Sequence, residues 1–255
     1  MLINRLIHEN AFRGHEVLLL EQTCLLPRKT ALDGLRIYCR KAGYSYVALQ
    51  ILKQYTFIFR RFLARILRRR MSPCFPYWLH RDVNLRRSSS QTIYSHAAEQ
   101  ELRAFAPDLI LSLLSKEILS ESLIRLPRLG AINVHPAPLP KYRGVSPTFW
   151  ALVNREHSFG ATVHALDVGI DTGDIIGQAH FSITDCTTEH AIYRRAIEAS
   201  VPLLVSCLRE CGDHAFPHRI TQTGASSSFS LPTKVAYRQL RAQGGRLFSF
   251  QELFS

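Results

Sequence analysis

Residues 131–144 read AINVHPAPLPKYRG, a short apolar strand that runs into a loop stiffened by three prolines. Side chains alternate along a strand, so Asn133 and His135 point to the same face and place an amide beside an imidazole. Ligands of α/β proteins bind outside the carboxyl ends of such strands. Because proline fixes φ, the loop after His135 has little freedom to move. We therefore expect the chemistry of the protein at this strand end.

Strand and helix patterns alternate on both sides of this stretch. Before it, the spacing of apolar residues predicts an opening helix, a strand at Val17–Leu20, helical structure over 30–56, a loop over Ser72–Ser90, a strand at Thr92–Tyr94, a helix over Ala97–Phe105 and a strand at Asp108–Leu113. After it, the pattern predicts a helix over Pro147–Asn154, strands at Ala161–Leu166 and Asp174–Ile183, a helix over Thr187–Cys211 and a loop at Arg238–Gly245. The alternation predicts an α/β fold with a doubly wound, mostly parallel sheet. Its usual first strand is missing, since no strand pattern precedes the opening helix.

The composition favours a globular, cytoplasmic protein. Hydrophobic residues make up 46% of the 255 positions and charged residues 20%, which is ordinary for a packed domain. The apolar runs are far shorter than the roughly 20 residues that span a bilayer, and the first residues lack the basic and apolar regions of a signal peptide. The 6 cysteines form no CxxC pair, so we expect neither a disulfide scaffold nor a metal site.

The net charge of +12 favours anionic partners but does not choose among them. Residues 57–70 concentrate this charge, because apolar residues alternate there with arginines at helical spacing. Two interpretations stay open for this basic helix. One is a helix with a core-facing side and a solvated charged side, and the other is contact with a membrane surface or an anionic ligand.

A second polar segment, Leu166–Asp174, lies between two predicted strands and contains three carboxylates and two glycines. If its strand neighbours that of Asn133, Asp171 joins the amide and the imidazole. A carboxylate can orient an imidazole, an imidazole can move a proton, and an amide N–H can stabilise an oxyanion. The trio fits acyl transfer without a covalent intermediate. The alternative, which spacing alone leaves open, is a capping Asn, a hydrogen-bonded core His and turn aspartates. The sequence lacks the GxGxxG, GxxxxGK[ST] and HExxH motifs and a complete nucleophile elbow, which excludes the binding and hydrolase classes that those motifs mark.

These residues resemble the folate-dependent formyltransferase family, which includes glycinamide ribonucleotide, methionyl-tRNA and amino-sugar formyltransferases. The resemblance rests on Asn133–Gly144, on Phe105–Ser112 upstream, and on Pro147, Trp150, Gly160, Thr162, His164 and the Asp171–Asp174 loop downstream. Asn-x-His with an Asp 36 residues after the His is the catalytic signature of that family. The resemblance covers about 97–211 and implies a catalytic domain over 1–211, followed by a short C-terminal extension over 212–255.

The resemblance implies roles for individual residues. A substrate amine would attack the formyl carbon of 10-formyltetrahydrofolate, with the oxyanion held by Asn133 and His135 and the proton transfers supported by Asp171. The pterin would bind largely to main-chain groups between two segments. Those segments are Lys116, Glu117, Ile118 and Leu119 on one side and Leu166, Asp167, Val168 and Ile170 on the other. One departure is Leu114, where the family usually has a small residue, and a leucine there would crowd the folate pocket.

The acceptor implied by the resemblance is a small amine with an anionic group, such as an amino-sugar nucleotide. Methionyl-tRNA formyltransferases generally carry a further C-terminal domain that is longer than the residues following Cys211, so tRNA is not the expected partner. Two alternatives remain. One is a 10-formyltetrahydrofolate hydrolase with water as acceptor, and the other is a non-enzymatic binding protein on the same fold.

Overall fold

The computed structural model describes residues 2–21, 26, 28–66, 84–88, 90, 92–211 and 216–254, without the side chains of residues 57, 60, 61, 63–66 and 254. Its helices are α1 (Leu2–His8), α2 (Ala31–Ala42), α3 (Tyr44–Ile66), α4 (His96–Phe105), α5 (Glu121–Ile124), α6 (Pro147–Val153), α7 (Glu189–Cys211), α8 (Lys234–Ala242) and α9 (Phe250–Phe254). Its strands are β1 (Glu16–Leu19), β2 (Asn84–Arg87), β3 (Ile110–Leu113), β4 (Ala131–His135), β5 (Arg143–Gly144), β6 (Ser158–Ala165), β7 (Ile175–Ser182) and β8 (Ser228–Phe229). The alternation of helices and strands confirms the predicted α/β class.

The main sheet has the strand order β3-β4-β6-β7. β3 and β4 are parallel, whereas β6 runs antiparallel to both β4 and β7. Two further pairs, β1 with β2 and β5 with β8, are parallel, so parallel pairings outnumber antiparallel ones among the described strands. The predicted predominance of parallel pairing is therefore confirmed across the three described sheets taken together. Within the main sheet only β3 and β4 are parallel, and the antiparallel part is where β6 and β7 flank the predicted polar loop.

One core packs against the main sheet and against α1 and α7. Leu6, Ile132, Val163 and Leu204 are fully buried in it. Side chains of β1 and β2 pack against the same core, although neither strand is hydrogen-bonded to the main sheet among the described residues. Period-two alternation sends Ile132 and Val134 into this core, which leaves Asn133 and His135 on the opposite face of β4.

Three predicted elements are wrong in whole or in part. Residues Thr92–Tyr94 form a turn rather than a strand, because the Thr92 hydroxyl and the Ile93 N–H both donate to the Glu117 carboxylate. The strand of this region is instead β2, inside the predicted loop. Near the C-terminus, the predicted loop Arg238–Gly245 is helical up to Ala242, where helix α8 ends. The first turn of α8 is capped by the Thr233 hydroxyl, which accepts a hydrogen bond from the Ala236 N–H at 3.1 Å.

The predicted helices over 30–56 are present as α2 and α3, and α3 continues to Ile66. The predicted basic helix is therefore confirmed up to residue 66, and residues 67–70 lie outside the described part of the chain. The apolar side chains of α3 do not all face the core. Six large ones on one stripe are exposed to solvent, namely Ile51, Leu52, Tyr55, Ile58, Phe59 and Phe62.

Candidate functional site

β4 positions the first two predicted catalytic side chains. It is an interior strand between β3 and β6, and its Asn133 lies opposite His164 of β6. The strand therefore holds Asn133 and His135 on one rigid face, and the imidazole of His135 is 5% exposed. The alternation predicted from the sequence is confirmed here.

His135 is held by the proline-rich loop that follows it. Its Nε2–H donates to the backbone carbonyl of Tyr142 at 2.8 Å. Its other ring nitrogen, Nδ1, lies 3.5 Å from Oδ1 of Asp171. Burial lowers the pKa of His135, and Asp171 and the Tyr142 carbonyl oppose this shift without cancelling it. The ring is therefore neutral by preference, with Nδ1 as the nitrogen able to take a proton.

Asp171 reaches the site from the loop between β6 and β7. Its Oδ2 accepts a hydrogen bond from the Gly144 N–H at 2.8 Å, while Oδ1 faces the imidazoles. Burial raises the pKa of Asp171, but His164, His135 and the Gly144 N–H together outweigh burial and hold the pKa below its ordinary value. The carboxylate is ionised at neutral pH and brings a negative charge to a nearly closed site.

Gly144 occupies a backbone position that suits glycine. Its φ of +90° lies in the left-handed region, and a Cβ there would stand 2.3 Å from the carbonyl oxygen of Phe229. The close approach of β5 to β8 thus depends on the absence of a Cβ at Gly144. The same close approach directs the Gly144 N–H toward Asp171.

His164 is a third titratable side chain in this cluster, and it lies outside the catalytic signature formed by Asn133, His135 and Asp171. It is 1% exposed, and its Nε2 lies 3.1 Å from Nδ2 of Asn133 and 3.6 Å from Oδ1 of Asp171. Its Nδ1–H donates to the carbonyl of Ala165 at 2.8 Å. The sequence did carry one indication of its position. His164 comes two residues after Thr162 on a strand expected beside β4, so the side chains of Thr162 and His164 lie on one face of that strand.

The predicted cofactor-binding residues lie on two loops. In the segment after β3, Lys116 and Ile118 are exposed and Leu119 is half-buried, whereas the buried Glu117 directs its carboxylate to Thr92 and Ile93. In the loop after β6, Asp167, Val168 and Ile170 are exposed and Leu166 is half-buried. The Asp167 carboxylate accepts from the Thr172 hydroxyl and the Gly169 N–H, so it braces its own loop. The assignment of these residues to a cofactor stays a prediction.

Leu114 has a left-handed backbone, and the crowding of a folate pocket by its side chain stays a prediction. It has a φ of +56°, a conformation that costs a branched side chain more than it costs glycine. Its side chain packs against the core beneath the main sheet. The position therefore needs left-handed backbone, which explains why a small residue would be suited to it.

The segment after α7 also contacts the site. The Gln222 side-chain amide donates to the carbonyls of Asp171 and Gly173, at 3.0 and 2.7 Å, and its oxygen accepts from Arg143 at 2.6 Å. The Ser227 hydroxyl accepts from the Tyr142 N–H at 2.9 Å. Sequence reasoning missed these residues because they lie far along the chain and belong to no local pattern. The domain boundary at residue 211 stays a prediction, but residues beyond it hold the site loops.

Among the described residues, no helix has the length and apolar character needed to cross a bilayer. The interpretation of residues 57–70 as a surface contact is a separate question, and it stays a prediction.

A sequence profile of the formyl transferase family matches residues 65–208. One similar relative is the methionyl-tRNA formyltransferase of Clostridium tetani, which is 38% identical over 107 residues, covering 42% of this chain and 34% of the relative. The chain thus spans about a third of the length of that relative.

Two solved structures are similar. The sugar 3N-formyl transferase WlaRD, crystallised in the presence of dTDP and 5-N-formyl-THF, is 27% identical with a TM-score of 0.47, covering 58% of this chain and 50% of WlaRD. A variant of HypX from Aquifex aeolicus is 18% identical with a TM-score of 0.51, covering 59% of this chain and 26% of HypX. The likeness to HypX concerns the fold alone.

Proposed function

The chain belongs to the formyl transferase family, whose profile covers more than half of it, and from that premise we propose that it moves a formyl group from 10-formyltetrahydrofolate to a primary amine. The observation that carries the proposal is the convergence of one carboxylate oxygen on two imidazoles. Oδ1 of Asp171 lies 3.5 Å from His135 and 3.6 Å from His164, beside the amide of Asn133. Proton transfer and oxyanion stabilisation need these groups together.

The loops around the site fit a folate donor in chemical character. Ile118, Val168 and Ile170 are large apolar side chains that are more than half exposed, at 52%, 73% and 57%. Exposed apolar side chains on two loops suit the covering of a flat ring, and main-chain groups of the same loops suit its polar edge. When bound, the donor supplies an activated formyl carbon. Lys116 and Leu119, with Leu166 and Asp167, complete the residues that we propose to hold it.

Each side chain of the cluster has its own role in the proposed reaction. Asn133 has one N–H directed at His164, so its second N–H is available for the oxygen on which negative charge develops. His135 uses Nε2 on Tyr142, which leaves Nδ1–H, when protonated, as the second donor to that oxygen. The Asp171 carboxylate stabilises the charged imidazole and takes up the proton that the attacking amine loses.

We further propose an acceptor with an anionic group, of which an amino-sugar nucleotide is the representative. The net charge of +12 supports an anionic substrate, since a positive field raises the local concentration of such molecules. Methionyl-tRNA is the competing acceptor, because the relative from Clostridium tetani carries that name. Both acceptors are polyanions that present a primary amine, so charge does not decide between them.

One assay separates these possibilities. The purified chain is given 10-formyltetrahydrofolate with an amino-sugar nucleotide, with methionyl-tRNA or with no amine, and both the formylated amine and free formate are measured. Formylation of the amino-sugar nucleotide at a rate that depends on His135 supports the proposal. Formylation of methionyl-tRNA alone would show that the proposed acceptor is wrong and the proposed reaction type is right. Formate without formylated amine would identify a hydrolase, and no turnover with retained folate binding would identify a binding protein.

A further inference from the structure

Gln222 lies in the segment after α7, and the proposed reaction assigns it no task. We propose that Gln222 is a positioning residue that, together with Arg143, holds the Asp171 carboxylate at the two imidazoles of the cluster. The consequence for turnover rests on the proposed function, whereas the hydrogen bonds that carry the inference do not depend on it.

Backbone pairing brings Gln222 to the loop of Asp171. Ile220 and Ile175, the first residue of β7, exchange two backbone hydrogen bonds of 2.8 Å in an antiparallel bridge. Because the two segments run in opposite directions, the residue two positions after Ile220 lies level with the residue two positions before Ile175. Gln222 is therefore brought to Gly173, at the end of the loop that carries Asp171.

The side-chain amide of Gln222 has one orientation that satisfies all of its partners. Its Nε2 lies 3.0 Å from the Asp171 carbonyl oxygen and 2.7 Å from the Gly173 carbonyl oxygen. Its Oε1 lies 2.6 Å from Nη2 of Arg143. Carbonyl oxygens only accept hydrogen bonds, and a guanidinium only donates them. The NH₂ group must therefore face the loop, and the amide oxygen must face Arg143.

The two bonds to the loop hold a backbone conformation that Asp171 does not favour by itself. Its φ is +54°, in the left-handed region, which aspartate tolerates better than most residues but which still crowds its Cβ. The Gln222 amide binds the carbonyl of Asp171 and that of Gly173, two residues later. Without these bonds the loop is free to relax to an ordinary φ, and the carboxylate would then leave the backbone in another direction.

Arg143 connects Gln222 back to the side chain of Asp171. Arg143 directly precedes Gly144, whose N–H donates to Oδ2 of Asp171 at 2.8 Å. The contacts therefore form a closed ring that begins at the Asp171 carbonyl oxygen and returns to its carboxylate. The other members of the ring are, in order, Gln222, Arg143 and Gly144. The ring fixes the backbone and the side chain of Asp171 relative to each other, and it leaves Oδ1 turned to the imidazoles.

Gln222 acts on the cluster through Asp171. In the described part of the chain, its side-chain hydrogen bonds go to Asp171, Gly173 and Arg143, and none goes to Asn133 or to either histidine of the cluster. The distances of 3.5 and 3.6 Å from Oδ1 to the imidazoles are at the outer limit for a hydrogen bond, so they are sensitive to a small displacement. The effect of losing Gln222 should therefore disappear once the carboxylate itself is removed.

The test is a double-mutant cycle of Gln222→Ala and Asp171→Asn. We expect Gln222→Ala alone to lower kcat about 10-fold, since a small misplacement of a catalytic group costs up to about 10²-fold in rate. In the Asp171→Asn background, the same substitution should change the residual kcat by less than about twofold, because the effects of residues that act as a unit are not additive. An unchanged kcat in Gln222→Ala, or a loss of equal size in both backgrounds, would overturn the proposal.

The matched control is Gln239→Ala. This substitution removes a side-chain amide that donates to the Val153 carbonyl outside the site, so it should leave kcat unchanged. If Gln222→Ala does not fold, Gln222→Glu takes its place, because it keeps the acceptor for Arg143 and loses both donors to the loop. A tenfold loss of kcat in Gln239→Ala would mean that the loss in Gln222→Ala reports general destabilisation, and it would overturn the proposal.

A second measurement needs no turnover. Hydrogen exchange of the Gly144 amide, which donates to Oδ2 of Asp171, is compared in the wild type, Gln222→Ala and Gln239→Ala. We expect Gln222→Ala alone to speed this exchange by about 10-fold or more, because the bond to the carboxylate opens more often. Unchanged exchange at Gly144 in the folded Gln222 variant would overturn the proposal. Faster exchange in a protein without formyl transfer would reject the proposed function and support the ring, so the two failures are distinguishable.

Discussion

Helices α3 and α7 are both 23 residues long, and they differ in what covers their apolar side chains. α7 buries a continuous stripe that includes Ile197, Val201, Leu204 and Cys207 against the core of the main sheet. α3 is docked by its first turns, through Tyr46 and Val47. Further along, it presents six large apolar side chains to solvent, namely Ile51, Leu52, Tyr55, Ile58, Phe59 and Phe62. The proposed catalytic cluster includes His164 of β6, a strand against which α7 packs. Helical periodicity predicts a helix in both cases, but it does not say which surface receives the apolar face.

The largest effect on activity should come from changes in the proposed catalytic cluster. His135→Ala and Asn133→Ala should each lower the rate of formyl transfer by about 10²–10³-fold, because each removes one donor to the developing oxyanion. The far-ultraviolet circular dichroism spectrum and the urea midpoint should show that the fold is retained. Activity within threefold of the wild type in either variant would reject the assigned mechanism.

Core truncation sharpens the contrast between the two helices. Leu204→Ala in α7 removes a fully buried side chain and should lower the free energy of unfolding by about 2–5 kcal/mol. Phe59→Ala in α3 removes a side chain that is 58% exposed and should change the free energy of unfolding by about 0.5 kcal/mol or less. Urea denaturation of both variants gives the comparison. Equal losses would mean that the α3 stripe is packed in solution.

Gly144→Ala should have a smaller effect on stability that is coupled to activity. Its Cβ would meet the Phe229 carbonyl at 2.3 Å and displace the N–H that binds Asp171, at a cost of about 1–3 kcal/mol. The matched control is Gly224→Ala, which also has a positive φ, +93°, but no atom within 4 Å of the added Cβ. Both unfolding free energy and kcat are measured. We expect only Gly144→Ala to lower kcat. An equal loss of kcat in Gly144→Ala and Gly224→Ala would mean that backbone strain alone explains the effect.

The smallest effect is expected from the arginines of α3. If they only solvate a surface, replacing Arg60, Arg61 and Arg65 with Gln should leave kcat and solubility within about twofold, because exposed charges contribute little individually. Binding of the wild-type chain to anionic vesicles is measured alongside. Vesicle binding that is lost in the triple variant, or a large rise in KM at every salt concentration, would instead assign the helix to contact with an anionic partner.

The sequence predicted elements best where local pattern and final partner agree. β4 lies at the predicted residues, since alternating apolar residues there meet a core on one face and a site on the other. Thr92–Tyr94 has a strand-like composition, but its backbone is bound by Glu117, a contact 24 or 25 residues away that no local pattern shows. α8 was missed although Ala236, Tyr237 and Leu240 recur at helical spacing. A tertiary contact thus decided the first outcome, whereas the local pattern of α8 was sufficient to predict this helix.

The same distinction applies to the site. Asn133, His135 and Asp171 were found because their types and spacing are a signature, and the structure brings them together. His164 is in the same cluster, but its place there depends on the pairing of β4 with β6, which the local pattern does not give. Leu114 was singled out for the size of its side chain, and the structure adds that its backbone is left-handed.

The hydrogen bonds from Gln222 to the loop of Asp171 also bear on when the protein becomes functional during synthesis. The two residues are 51 positions apart, and Gln222 is made after the whole of α7. Domains begin to fold while the chain emerges, and contacts of large sequence separation form late. A nascent chain that has completed β4, β6 and β7 would therefore hold its main sheet before the carboxylate is fixed. Catalytic competence should appear as a final step of maturation, only once the segment around Gln222 has left the ribosome and closed over the loop.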